Sequence, residues 1–271
     1  MEDLKQFNTW KAQVENIEPQ TQLDCLRIIE INLSNTCNFR CPFCPQSLNY
    51  KSSKGFMTLD TVKEIAKQMR ECNFKGYICV AGFGEPSLNP QFVEIIEELK
   101  DFNTLIITNG TQLDKKIWDY LTTISQIKVS VHHWKDLEWY KEKFKDTNAW
   151  YRNHDMKNPK INLYNRGGYL GKPVKKIESI CYLPFYKVFI DTDGKYLQCE
   201  ADWEHLSENN LSIWNTKLKD YYLNNMDKKR ELMLSSNKRQ SFKCCQNCDI
   251  NGQMTGKKFV EFWENDKKRK I

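Results

Sequence analysis

Three cysteines near the amino terminus constrain this 271-residue chain more than any other feature of its sequence. Cys37, Cys41 and Cys44 form a C-x3-C-x2-C pattern in the string SNTCNFRCPFC. A loop of this spacing can place three thiolates around one face of a cuboidal iron–sulfur cluster, because soft sulfur ligands select such clusters. Three ligands leave one iron of a 4Fe–4S cluster open to a small molecule, whereas a structural zinc site closes with four ligands.

The composition excludes several classes of protein. The net charge is +6, from 41 Lys and Arg against 35 Asp and Glu, and the basic residues are spread along the chain. No stretch approaches the roughly 18 apolar residues of a membrane-spanning helix, and residues 1–5 lack the form of a secretion signal. We therefore expect a cytoplasmic protein whose eleven cysteines serve metal ligation or redox chemistry more readily than disulfides.

The order of strand and helix patterns predicts an α/β fold. Predicted strands cover residues 26–33, 77–81, 105–108, 124–131 and 160–164, and predicted helices cover residues 58–69, 89–99 and 137–144. This alternation is typical of parallel βαβ units, which place their chemistry at the carboxyl ends of the strands. We expect a partial (β/α) barrel, followed by a small α+β domain built from a β-hairpin and a helix.

Polar or glycine-rich segments follow three of the predicted strands. The second strand ends in Gly82-Phe83-Gly84-Glu85-Pro86, where a carboxylate beside glycines can receive an ammonium group. Asn109 and Ser130 stand at the ends of the third and fourth strands, although an ordinary Asn-Gly turn and a strand serine explain them equally well.

These motifs resemble those of the radical S-adenosylmethionine (radical SAM) superfamily, including the aromatic residue Phe43 just before the third cysteine. The resemblance implies that the open iron binds SAM, which the reduced cluster cleaves to a 5′-deoxyadenosyl radical. It also implies SAM contacts from Phe43, Gly84, Glu85, Pro86, Asn109 and Ser130. Phe83 departs from the usual Gly-Gly-Glu-Pro motif, in which the first position is glycine.

A second cysteine set lies in the last third of the chain. Cys181 and Cys199 flank a predicted hairpin with an Asp-Gly turn, and Cys245 and Cys248 form a late C-x2-C pair, with Cys244 as an alternative ligand. A four-cysteine zinc site fits this spacing equally well on chemistry alone. The arrangement also resembles the twitch extension of radical SAM enzymes, a shortened SPASM domain, which implies an auxiliary 4Fe–4S cluster and hence two clusters in the chain.

Two side chains are candidates for catalysis. Arg166 lies just before the second cysteine region, where an arginine can clamp substrate oxygens, although a surface arginine is an equal alternative. His132 follows the fourth predicted strand and can act as an acid or base near neutral pH. His133 is adjacent, and only one of two neighbouring strand residues can face the barrel.

The resemblance divides the chain into four parts: an extension (residues 1–25), a radical SAM partial barrel (26–165), a twitch domain (166–255) and a basic tail (256–271). Length and cysteine order are most similar to the radical SAM dehydrogenases of aminoglycoside biosynthesis. This implies oxidation of a secondary alcohol of a small cyclitol- or sugar-like molecule, with the auxiliary cluster taking the electron. It also implies a flavodoxin- or ferredoxin-type electron donor.

Two alternatives remain open at this point. The first is a radical SAM enzyme that modifies a ribosomally made peptide, although only about 25 residues precede the first predicted strand, fewer than a leader-binding module needs. The second is a zinc-stapled protein whose basic tail, with Lys267, Lys268 and Arg269, binds nucleic acid. That alternative leaves the open three-cysteine loop unexplained.

Overall fold

One mostly parallel sheet of seven strands organises the computed structural model, which describes residues 14–48, 50, 55–131, 137–153, 165–171, 177–205, 210–236 and 238–269. The strands are β1 Ile28–Asn32, β2 Tyr77–Ala81, β3 Asn103–Thr108, β4 Gln126–Val131, β5 Trp150–Asn153, β6 Lys187–Ile190 and β7 Tyr196–Leu197. Their order is β5-β4-β3-β2-β1-β6-β7, and only the β6–β7 pair is antiparallel.

Eight α-helices accompany the sheet within the described ranges. They are α1 Leu59–Glu71, α2 Phe92–Glu98, α3 Lys115–Ile124, α4 Leu137–Lys143, α5 Leu183–Tyr186, α6 Leu218–Asp220, α7 Met226–Leu234 and α8 Lys257–Arg269. A π-helical turn, Tyr221–Asn225, joins α6 to α7. None of these helices combines the length and apolar character needed to cross a bilayer.

Strand β1 lies between β2 and β6, and all five of its residues are buried. Such continuous burial explains why its sequence is a run of apolar residues broken only by Glu30 and Asn32. The predicted strands at 26–33, 77–81, 105–108 and 124–131 correspond to β1–β4, and the predicted helices correspond to α1, α2 and α4. The predicted α/β fold is therefore confirmed, and the carboxyl ends of the parallel strands lie at one edge of the sheet.

The sheet includes a strand that the sequence pattern did not predict. The structure has β5 at Trp150–Asn153, paired with β4, whereas the predicted strand at 160–164 lies outside the described residues. Four residues are too few to display a clear hydrophobic alternation. A tertiary contact supports β5 instead, since the Lys128 ammonium lies 4.8 Å from the centre of the Trp150 ring.

The predicted hairpin is formed by β6 and β7. Asp191 N donates to Lys195 O at 2.9 Å, and Gly194 adopts φ +83°, a left-handed conformation that favours glycine. Residues 183–186, expected to be extended, form the short helix α5 with Pro184 in its first turn. Because β6 also pairs with β1 in parallel, the hairpin extends the barrel sheet.

The carboxyl-terminal segment, treated above as a solvated basic tail, packs as helix α8. Phe259, Val260 and Trp263 are buried, and Trp263 Nε1 donates to Asp227 Oδ1 at 2.6 Å. The amino-terminal extension contacts the same helix, because Glu15 Oε1 accepts a hydrogen bond from Gly256 N at 2.8 Å. Charged residues dominate this segment, and its apolar residues at helical spacing were therefore not recognised as a buried helix face.

Replacing Trp263 with alanine tests whether α8 belongs to the core. We expect Trp263→Ala to lower the free energy of unfolding by about 3–5 kcal/mol, the usual cost of emptying a large buried aromatic site. Trp214 is 57% exposed, so Trp214→Ala should cost no more than about 0.5 kcal/mol. Urea denaturation followed by circular dichroism measures both, and equal effects would contradict the packing of α8.

Candidate active site

The first cysteine set lies in the loop that follows β1. Cys37, Cys41 and Cys44 are all partly buried, and Cys44 N donates to Cys41 O at 2.9 Å within a tight turn. Burial raises the pKa of the Cys37 thiol to about 11 and that of Cys41 to about 12. Because a coordinated metal favours the thiolate, this donor set fits an iron–sulfur cluster that supplies the missing positive charge.

The buried amide of Asn32, the last residue of β1, fixes this loop to its neighbours. Asn32 Nδ2 donates to Asn35 Oδ1 at 2.5 Å and to Asp191 Oδ1 at 2.7 Å. Asn32 Oδ1 accepts a hydrogen bond from Phe83 N at 3.1 Å. One side chain therefore joins the cysteine loop, the glycine-rich segment and the end of β6.

The glycine-rich segment packs directly against the cysteine loop. A Cβ atom on Gly84 would lie 2.2 Å from Thr36 O and 2.4 Å from Ser34 O, so no side chain fits there. Glu85 N donates to Thr36 O at 2.8 Å, and the following Pro86 is buried at the start of the turn Pro86–Leu88. Glycine at position 84 is thus required for the segment to approach the loop.

Glu85 presents a buried carboxylate beside the cysteine loop. Its Oε1 accepts hydrogen bonds from Ser87 Oγ and Thr108 Oγ1, each at 2.5 Å, and its Oε2 accepts one from Asn109 N at 2.7 Å. Burial raises the pKa of Glu85, and these hydrogen bonds oppose the rise. No Lys or Arg of the described ranges forms an ion pair with Glu85, so the site fits a ligand that brings an ammonium group.

Asn109 connects Glu85 to the cysteine loop. Asn109 Nδ2 donates to Asn38 Oδ1 at 2.8 Å, in the interval between Cys37 and Cys41. Ser130, at the end of β4, is buried, as is Phe43 in the cysteine loop. The structure thus brings Asn109 and Glu85 together, whereas Ser130 has no contact that assigns it a role.

The second cysteine set gathers from three distant segments. Burial raises the pKa of Cys181 to about 12 and that of Cys248 to about 11. Negative charge on Cys245 and Cys248 would raise the pKa of both Cys181 and Cys199 further. The four sulfur atoms therefore lie in one region. Gly252 permits this assembly, because a Cβ atom there would lie 2.2 Å from Cys181 Sγ.

Cys244 lies beside this second set. Its Sγ is 3.8 Å from Cys245 Sγ, and the hydrogen bond between them lowers the pKa of Cys245 and raises that of Cys244. Both sulfur atoms lie in the region of the second cysteine set, and Cys244 Sγ is also in the field of Cys199. Within the described ranges, no three His, Cys, Asp or Glu side chains converge on a point that could hold a single metal ion.

An aromatic cluster, formed by Tyr50, Phe83, Tyr169 and Trp203, lies beside Cys44 of the first cysteine set. A small cleft adjoins this cluster, and its lining includes Arg166, Trp203 and Cys244. The ring centres of Trp203 lie 4.5 Å from Phe83 and 4.8 Å from Tyr50, and Cys44 packs against this cluster. Trp203 is buried, yet its Nε1 has no hydrogen-bond partner among the described residues. Tyr50 and Trp203 were not predicted as site residues, because isolated aromatic residues in loops form no sequence pattern.

Arg166 lies at the rim of this cleft in a strained conformation. Its φ of +53° is unusual for a residue with a side chain, and Gly167 and Gly168 follow with φ +68° and +98°. The Arg166 guanidinium acts on both cysteine regions. Its charge opposes the burial-driven rise in the pKa of Cys44, and it helps to lower the pKa of Glu200, the residue after Cys199. Its Nε is buried and has no partner within the described ranges.

A histidine that was not predicted as a site residue, His205, lies beside the aromatic cluster. His205 Nε2 lies 3.6 Å from Asp191 Oδ2 and 3.3 Å from the Tyr50 hydroxyl, and its ring centre is 5.8 Å from that of Phe83. The predicted candidate His132 lies outside the described residues. The signal that could have identified His205 is its position six residues after Cys199, in a segment with four acidic or aromatic side chains.

Comparisons with known proteins agree with this geometry. Residues 31–159 match the radical SAM superfamily. The S-adenosyl-L-methionine-dependent 2-deoxy-scyllo-inosamine dehydrogenase of Niallia circulans is 25% identical over 234 residues, which cover 82% of this chain and 92% of that protein.

Two solved structures share the fold. BtrN in complex with AdoMet and 2-DOIA superimposes with a TM-score of 0.71 at 22% identity, covering 83% of this chain and 94% of that one. SuiB of Streptococcus suis, bound to the precursor peptide SuiA, gives a TM-score of 0.50 at 12% identity, with coverage of 83% and 71%. With its cysteine loop, its glycine-rich segment and this fold, the chain carries a radical SAM domain over residues 31–159.

Proposed function

We propose that this radical SAM enzyme oxidises a secondary alcohol of a small cyclitol- or sugar-like molecule bound in the cleft lined by Arg166 and Trp203. The first cysteine set would hold a 4Fe–4S cluster and SAM. Cys181, Cys199, Cys245 and Cys248 would hold an auxiliary 4Fe–4S cluster. The observation that carries the proposal is a pair of buried, unsatisfied hydrogen-bond donors in the lining of this cleft, which reaches Cys244 and adjoins the aromatic cluster that contacts Cys44. The similarity to an aminocyclitol dehydrogenase supports it.

The lining of the cleft suits a hydroxylated ring. Arg166 Nε and Trp203 Nε1 are buried donors without protein partners in the described part of the chain, and leaving each unsatisfied costs about 1–3 kcal/mol. Hydroxyl oxygens of a substrate would satisfy both donors. Asp202 and Glu204 border the same cleft beside Arg166, and their charge suits an amino substituent on the ring.

Oxidation of an alcohol to a ketone removes one hydrogen atom, one proton and one electron. When bound, SAM and the two clusters would supply the deoxyadenosyl radical that takes the hydrogen atom and the acceptor that takes the electron. The protein itself must accept the hydroxyl proton. His205 Nε2 would do so, since Asp191 is placed to stabilise the resulting charge; His132 remains a predicted alternative.

The remaining residues of the site would hold SAM and shield the reaction. Glu85 would accept hydrogen bonds from the SAM ammonium group beside Gly84 and Pro86, with Asn109, Ser130 and Phe43 completing the predicted contacts. The rings of Phe83 and Trp203 would exclude water from a reactive carbon-centred radical. A fully ligated auxiliary cluster has no open iron, and this suits electron transfer better than substrate coordination.

A flavodoxin- or ferredoxin-type protein would supply the electron for SAM cleavage. We also propose a cytoplasmic location, because eleven free cysteines and iron–sulfur clusters require a reducing compartment. The nucleic-acid alternative has little support from the carboxyl-terminal helix, where Lys258 and Lys267 form ion pairs with Glu18 and Asp227 of the same chain. The fold shared with SuiB keeps a peptide substrate as the second candidate.

Replacing Glu85 with glutamine tests the SAM site. The change removes the charge that would pair with the SAM ammonium, a hydrogen bond worth about 1.5–3 kcal/mol, so SAM affinity should fall about ten- to a hundredfold. Ser87→Ala is the matched control, because it deletes one hydrogen bond to Glu85 but keeps the carboxylate. Calorimetry on the anaerobic protein measures both variants, and an unchanged affinity in Glu85→Gln would remove Glu85 from the site.

Replacing Cys248 with alanine tests the auxiliary site as an electron acceptor. The folded variant, SAM, a reductant and carbinol-deuterated 2-deoxy-scyllo-inosamine are incubated together, and deoxyadenosine and ketone are measured. Deuterium should still reach deoxyadenosine, whereas the ketone should fall at least about tenfold because the electron has no acceptor. Cys244→Ala is the control and should keep the ketone yield.

Two outcomes of this experiment contradict different parts of the proposal. A normal ketone yield from the Cys248 variant would give the second cysteine set a structural role only. The absence of deuterium transfer in the unaltered enzyme would reject the cyclitol substrate and favour a peptide.

A further inference from the structure

A buried arginine contacts the second cysteine set. Arg239 is 2% exposed, and its Nε donates to Ser179 O at 2.9 Å. Its Nη1 donates to Ile250 O at 2.8 Å and lies 3.8 Å from Cys248 Sγ, within hydrogen-bonding distance for sulfur. The guanidinium is therefore held by backbone carbonyls on two sides and faces a cysteine thiol on a third.

Arg239 lacks the carboxylate partner that a buried cation normally needs. Buried Arg230 pairs with Asp227 at 3.0 Å, and buried Lys187 pairs with Glu30 at 2.7 Å. No Asp or Glu of the described ranges forms such a pair with Arg239. An uncompensated buried charge is strongly destabilising, so the neighbouring thiolates are the counter-charge that this site offers.

The contact with Cys248 supports this assignment, since Nη1 lies 3.8 Å from the sulfur atom of a proposed cluster ligand. A cluster with four thiolate ligands is an anion, and it becomes more negative when it accepts an electron.

We propose that Arg239 is the counter-charge and hydrogen-bond donor of the auxiliary cluster and raises its reduction potential. This inference rests on the proposed function, in which that cluster accepts the electron of the substrate radical. A buried cation stabilises the reduced cluster more than the oxidised one, because the reduced form carries one more negative charge. Arg239 thereby makes the auxiliary cluster a better electron acceptor.

Reduction potentials of Arg239 variants test this inference. Each variant is prepared in the full chain with Cys37, Cys41 and Cys44 replaced by alanine, so that only the auxiliary cluster is present. Its midpoint potential is read from an anaerobic titration followed by electron paramagnetic resonance. Arg239→Met should make reduction at least about tenfold less favourable. For a one-electron couple, this lowers the midpoint potential by about 59 mV. Arg239→Lys retains the charge and should show a smaller decrease.

Arg230→Lys is the control, because it changes an equally buried arginine that already has a carboxylate partner, and its potential should not move. Equal potentials in all variants would overturn the inference and leave Arg239 a structural role. If Arg239→Met fails to bind a cluster, the lysine variant decides, and an unchanged potential there contradicts the proposal. A parent protein that binds no cluster would instead contradict the proposed function.

Discussion

The hydrogen bonds of Asn32 are the interaction on which the rest of the site depends. Asn32 is fully buried at the end of β1, and its amide contacts residues up to 159 positions away in the sequence. A buried amide that loses its partners costs about 1–3 kcal/mol for each unsatisfied group. The cysteine loop, the glycine-rich segment and the β6–β7 hairpin therefore take positions that satisfy this one side chain together.

Phe83 connects the glycine-rich segment to the second cysteine region. It occupies a position that is usually glycine in the motif, and its ring contacts Phe189 and Trp203, which flank the second cysteine region. The glycine-rich segment is thus packed directly against aromatic residues that precede and follow Cys199.

Local patterns in the sequence predicted the parts of the molecule that local interactions determine. The cysteine spacing, the Gly84-Glu85 segment and strands β1–β4 were readable because each carries its signal within about ten residues. Asn32, His205 and Arg239 were missed, because their roles depend on partners that only the tertiary fold brings near. Helix α8 was misjudged for a related reason, since its lysines pair with acidic residues distant in sequence.

Iron and sulfide content tests most directly the claim that one chain holds two clusters. The anaerobically reconstituted protein should contain about eight irons and eight sulfides per chain, as two 4Fe–4S clusters. Replacing Cys37, Cys41 and Cys44 together with alanine should leave about four irons, and replacing Cys181 and Cys199 should leave the other four. About four irons in the unaltered protein, or full iron content in either variant, would contradict the account.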